Sequence, residues 1–129
     1  MNADAHASAL AERAAEIAPT GIVIVAVHET ILVEVERSAY ASEPFALNIE
    51  NYLACRTDPI EALVYTCWAV LDALQDFSAE SKAEPWPGTT ITPNPNARLD
   101  GAAVNLWFEY PDNTPPLELP PISADGDDQ

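Results

Sequence analysis

The segment TDPIEALVYTCWAVLDALQDFSAES, residues 57–81, reads as the helix around which the rest of the chain is arranged. Asp58 stands before Pro59, a capping residue followed by a proline where a missing N–H costs nothing. Glu61, three residues after Asp58, can reach back to the cap, although such boxes usually have Ser or Thr in the capping position. Ile60, Leu63, Val64, Cys67, Trp68, Leu71 and Leu74 recur every three or four residues and put one apolar stripe down the helix. Glu61, Thr66, Asp72, Gln75 and Asp76 fall on the opposite side. The segment predicts a helix with one buried face. It locates the core and carries no chemistry of its own.

Upstream, ADAHASALAERAAEIA (residues 3–18) is alanine-rich and helix-favouring, with a thin stripe of Ala7, Leu10, Ala14 and Ile17 that Pro19-Thr20-Gly21 ends. Ile22 to Val27 is continuous and β-branched, which suits a strand covered on both faces. After His28-Glu29-Thr30, the residues Ile31, Val33 and Val35 alternate with Leu32, Glu34 and Glu36, a strand with one wet face. His-Glu-Thr is a poor tight-turn sequence, so a hairpin and one long bent strand both fit. Residues 38–44 read as a loop. Phe45, Leu47 and Ile49 begin a further strand that runs on toward Cys55.

Downstream, Glu84-Pro85-Trp86-Pro87-Gly88 is a rigid break, and residues 89–92 read as a short edge strand before Pro93. Asp100-Gly101 is the strongest local hairpin signal in the chain. In its second arm Ala102, Val104, Leu106, Phe108 and Tyr110 share the core face, and Trp107 lies on the other. After Pro111, four prolines around Leu117, Leu119 and Ile122 read as an extended, polyproline-like segment, followed by an acidic end. The expected fold is α+β: a mostly antiparallel sheet of four to five strands with two helices on one face. Residues 1–110 form that single domain, and residues 111–129 a Pro-rich arm and acidic tail.

At 129 residues, 48% of them apolar, the chain is one domain's worth and can bury a core. It carries 21 acidic residues against 5 basic ones, net −16, with Lys82 its one lysine. Such a field repels nucleic-acid phosphate and anionic membrane, so neither is an expected partner. The acidity fits solubility or salt adaptation first, since net charge bears on solubility before function. It also fits a surface complementary to a basic protein, or mimicry of a DNA phosphate array. Many of the carboxylates sit between apolar positions or in the tail, not in the regular array that mimicry wants. Met1-Asn-Ala-Asp-Ala lacks a basic region and a long apolar run, so no signal peptide is expected, and the longest apolar run is too short to span a bilayer. The expected setting is cytoplasmic, or a virion if the chain is phage-derived.

No catalytic constellation is visible. The candidate bases His6 and His28 stand beside no plausible Ser or Cys motif. Cys55 and Cys67 with two histidines do not make a metal set, and Cys67 reads as a small core hydrophobe, with a disulfide to Cys55 disfavoured. Asp125-x-Asp127-Asp128 lacks the frame of a calcium loop. The four glycines form no phosphate cradle. No enzyme, cofactor or metal is expected.

Two features rise above this background. Trp86 between prolines and Trp107 on the second sheet face suit an interface, or Trp86 folds back over Trp107 as a satellite core. The proline-stiffened strip with Leu117, Leu119 and Ile122 can dock on a partner at little entropic cost, or on its own domain. Trp86, Trp107, Leu117, Leu119 and Ile122 are therefore the candidate interface residues. The order helix, strands, helix, strands in a short acidic chain resembles small bacteriophage neck and tail-terminator subunits, which form rings. That resemblance lies in architecture over about two-thirds of the chain, rests on no motif and transfers no residue. The leading expectation is a non-catalytic assembly or interaction protein with a protein partner or copies of itself. The alternatives are an acidic DNA-mimic inhibitor, and a small ligand-binding domain or enzyme with a pocket beneath Trp86.

Overall fold

Alanine makes the first helix and sets how closely it packs. In α1 (Ala3–Ile17) the residues Ala7, Ala9, Leu10, Ala11 and Ala14 are all buried, a wider face than the thin stripe expected, because methyl side chains let the backbone approach its neighbours. The computed structural model describes residues 3–18, 21–35, 45–82, 87 and 92–123. After α1 come β1 (Ile22–Val27), β2 (Thr30–Val35), β3 (Phe45–Asn48), α2 (Ile49–Leu53), α3 (Pro59–Lys82), β4 (Asn94–Asp100), β5 (Ala103–Glu109) and β6 (Leu117–Ser123). The fold is α+β.

The strands form two three-stranded antiparallel sheets, β1-β2-β3 and β4-β5-β6, where one sheet of four to five strands was expected. Each pairing joins strands that are neighbours in the chain. The 24 residues of α3 separate the two sets by a rod about 36 Å long, and local pairing closes the shortest loops. The helices do not share one face either. α1 packs against β1 and β2 and also reaches β6, whereas α3 packs against β4, β5 and α2. Buried residues of both sheets, α1 and α3 nevertheless belong to one continuous core.

The β1–β2 segment is a hairpin. Val27 pairs with Thr30 across a two-residue turn whose first residue, His28, has φ +55°. The second hairpin has the same form: Asp100 pairs with Ala103, and Gly101 at φ +66° is the first turn residue. The turn is thus Gly101-Ala102, one residue later than Asp100-Gly101, because this turn wants its left-handed residue first. β1 is not covered on both faces. Ile22 and Ile24 are buried, but Val25 and Val27 are 43% and 49% exposed.

β3 stops at Asn48 where a strand to Cys55 was expected. The Asn48 side chain accepts a hydrogen bond from the Asn51 N–H at 3.1 Å and caps α2. The expected edge strand at residues 89–92 falls mostly outside the described residues, as do the loop at 38–44 and the tail from 124; Thr92 lies outside any strand.

α3 begins as its sequence suggests, with the Glu61 N–H donating to Asp58 Oδ2 at 3.4 Å. Its buried arc is rotated from the expected stripe. Ile60 and Trp68 are 37% and 41% exposed, while Thr66 and Gln75, placed by their polarity on the wet side, are buried. Both find backbone acceptors: Thr66 Oγ1 donates to the Ala62 carbonyl at 2.6 Å, and Gln75 Nε2 to the Pro93 carbonyl at 2.7 Å. The second bond ties α3 to the lead into β4.

The proline-rich segment is extended, and it is a paired strand. Val104 pairs with Ile122 and Leu106 with Leu119, so Pro120 and Pro121 together oppose Asn105 in a bulge. Leu119 and Ile122 are three apart, a spacing that would put them on opposite faces of a regular strand. The bulge returns both to the core, where they are 7% and 2% exposed. Arg13 of α1 secures the bulge, donating from Nε to the Pro120 carbonyl at 3.0 Å and from Nη2 to the Pro121 carbonyl at 2.9 Å.

Candidate functional site

Two surfaces stand out. The first is a groove of about 450 Å³ along α3, walled by aromatic rings and carboxylates. Tyr65, Trp68, Asp72 and Asp76 follow one another at helical spacing along a single side of α3. Ala69 and Ala73 lie beside them, and their small side chains leave the space open. Phe45 of β3 and Tyr52 of α2 supply the remaining wall together with Phe77. The rings hold one another: Phe45 stacks on Phe77 with centroids 5.2 Å apart and planes 8° apart, and Tyr65 lies 6.4 Å from Tyr52 and 6.3 Å from Trp68. Beside the groove, the Arg56 guanidinium carbon sits 4.1 Å from the Tyr65 ring centroid.

The electrostatics of this groove are unbalanced. Among the described residues the ion pairs are Arg13 with Glu12 and exposed His28 with Asp4, so neither Asp72 nor Asp76 has a described cationic partner. Partial burial, and then the like charge of Asp76, raise the Asp72 carboxyl above the usual range. The Tyr52 hydroxyl is raised as well, by burial first and then by Tyr65, Cys55 and Asp72.

The second surface is the outer side of the first sheet. Val25, Leu32 and Ala46 lie in one cross-strand row, with Val23 and Val27 flanking it on β1. β1 is an edge strand and carries no charged residue.

Of the sequence-derived interface residues, Trp107 and Leu119 line one pocket of about 280 Å³ on the second sheet, and Leu117 and Ile122 are not among its lining. Trp86 lies outside the described residues. Trp107 is half-buried on the outer face of β5, with the Arg98 guanidinium carbon 5.8 Å from its ring and its Nε1 donating to Glu109 Oε1 at 3.4 Å. Leu117 is half-buried, and Leu119 and Ile122 lie in the core. Tyr110, on the expected core face, is half-buried and donates from its hydroxyl to the Pro87 carbonyl at 3.0 Å.

The groove was missed because Trp68 reads as core and Asp72 and Asp76 as a solvated face. The usable signal was an aromatic at position 68 followed four and eight residues on by carboxylates, with alanines beside them. Of the groups considered for chemistry, His6 is buried in α1 and His28 is exposed in its turn. The two cysteines are free: Cys55 is exposed, and burial pushes the Cys67 thiol up to about 12, which keeps it protonated. No group of three or more potential ligands for a metal occurs among the described residues, and no described helix is long and apolar enough to cross a membrane. Exposed carboxylates are spread over α1, β2, α2, α3, β4, β5 and β6. Compared with protein family models, curated proteins and solved structures, the chain finds no match, so its function has to be argued from its own residues.

Proposed function

We propose that this is a non-catalytic assembly protein whose copies join through β1. The observation that carries the reading is an edge strand, Ile22–Val27, that is free of charge and keeps Val25 and Val27 in solvent. Two chains of net −16 repel, and they can approach only where carboxylates are sparse. β1 is such a place. Antiparallel pairing of two β1 strands about a two-fold is self-complementary, gives each free edge its ladder, and joins the two outer faces into one apolar surface. A ring of the bacteriophage neck or tail-terminator kind, suggested by the order of elements, would need a head-to-tail contact in addition to this two-fold one. Leu119 and Ile122 serve the chain's own core in this reading, and Trp107 remains a secondary contact.

The test is the mass in solution by light scattering, at low and moderate salt, for the natural chain and for Val25→Glu/Val27→Glu. The expected result is a multiple of 13.9 kDa that grows with salt, because screening relieves the repulsion, and a monomer for the variant. A natural chain that stays monomeric at every concentration and salt would sink the proposal.

A further inference from the structure

We propose that the groove along α3 binds the guanidinium of an arginine presented by a basic segment of a partner protein. Each part of the groove answers to one property of that group. Tyr52, Tyr65 and Trp68 line the groove with aromatic rings, and the negative quadrupole of such rings attracts a cation, that of Trp most of all. Asp72 and Asp76 are one turn apart on the same side of α3, about 6 Å between their β-carbons, so both lie within reach of one planar fork. Neither has a described cation to pair with, and burial together with mutual repulsion already disfavours the charge on Asp72. A bound guanidinium would relieve both effects.

Arginine is favoured over lysine because its guanidinium is planar and weakly hydrated, stacks on rings and pairs bidentately with carboxylates. Arg56 already shows the ring contact within the chain, its guanidinium carbon 4.1 Å from the Tyr65 centroid where the two residues line a neighbouring hollow. The net charge of −16 adds a long-range field that draws a basic segment in and turns nucleic acid away. This contact is separate from the β1 edge and opposite to it in salt dependence: screening weakens it and strengthens the other.

Titration calorimetry of the full chain with hexaarginine and hexalysine amides tests the assignment. The variants are Trp68→Ala, Asp72→Asn/Asp76→Asn, and a charge-matched control, Glu16→Gln/Glu34→Gln, whose carboxylates are exposed on α1 and β2. Hexaarginine should bind the natural chain more tightly than hexalysine. Trp68→Ala and the Asp72/Asp76 variant should each lose about tenfold in affinity, while the control loses about twofold or less. Trp68 is 41% exposed, so its removal should leave the fold intact, which circular dichroism checks. Three results would overturn the proposal: equal loss in the control, no loss in Trp68→Ala, or hexalysine binding as tightly as hexaarginine.

Discussion

The two sheets are built on one plan and differ in how their edges are protected. Each has three antiparallel strands opened by a two-residue hairpin with a left-handed first turn residue. The second sheet guards both edges with proline: Pro95 lies in β4, and Pro120 and Pro121 lie in β6, where Arg13 occupies their carbonyls. The first sheet has one edge strand of four residues, β3, which runs directly into a helix. Its other edge, β1, has six residues, no proline, no charge and exposed valines. Among the described residues three edges are protected and one is open, an obvious place for a partner strand. This contrast is the physical support for placing the assembly contact on β1.

Three further experiments press on the contrast. The largest effect is expected from Arg13→Ala, which removes two charge-assisted hydrogen bonds from the bulge of β6 and should cost about 2 kcal/mol in denaturant unfolding. Arg13→Lys should recover only part of it, because an ammonium cannot span both carbonyls. If Arg13→Ala costs nothing, the second sheet does not depend on that clamp, and the difference in edge protection shrinks to the prolines.

Next come the hairpins. Gly101 has open space where a side chain would begin, so Gly101→Ala should cost about 1 kcal/mol through the left-handed backbone alone. His28 adopts the corresponding position with a side chain, and His28→Gly should gain roughly 0.5 kcal/mol, relief of strain being partly offset by the freedom glycine loses on folding. Changes of the same sign at the two sites would show that the turns are not equivalent.

The smallest effect near neutral pH is at Cys67. Its thiol is held at about 12 in the folded chain against an ordinary 9.0, so the unfolded chain releases the proton first as pH rises. The Cys67 contribution to stability should be flat below about pH 9 and fall between pH 9 and about 12, and Cys67→Ala should make the alkaline slope shallower. Thiol labelling adds a sharper reading. Cys55 is exposed and should react at once, whereas Cys67 should react only on global unfolding, because one core joins both sheets. Labelling of Cys67 while the second sheet is intact would show that the sheets come apart independently.

Much of the local structure was legible in the residues. The helical period of α3, its Asp58-Pro59 start, the alanine-rich α1 and the alternation Val104, Leu106, Phe108 all appear as read, because each depends on contacts within a few residues. The misreadings have a common cause. Trp68 looked buried and Thr66 and Gln75 looked exposed, since polarity was used as a guide to burial. Back-bonding to Ala62 and a bond to Pro93 allow the polar pair to be buried, and the turn of α3 toward β4 leaves the indole outside. The short α2 was concealed by apolar alternation that ran past Asn48, although asparagine there was a capping signal.

From the amino acids alone came most of the elements, the α+β class, the net acidity, and the extended character of the proline segment. These follow from spacing and charge, which are properties of the chain read residue by residue. Tertiary structure decided which strands pair, that there are two sheets and not one, and that Leu119 and Ile122 turn inward through a bulge. It also decided that Phe45, Tyr52, Tyr65, Trp68, Asp72 and Asp76 meet around one groove. Residues from three elements become neighbours only when the core packs, and no period or motif in the sequence encodes that meeting.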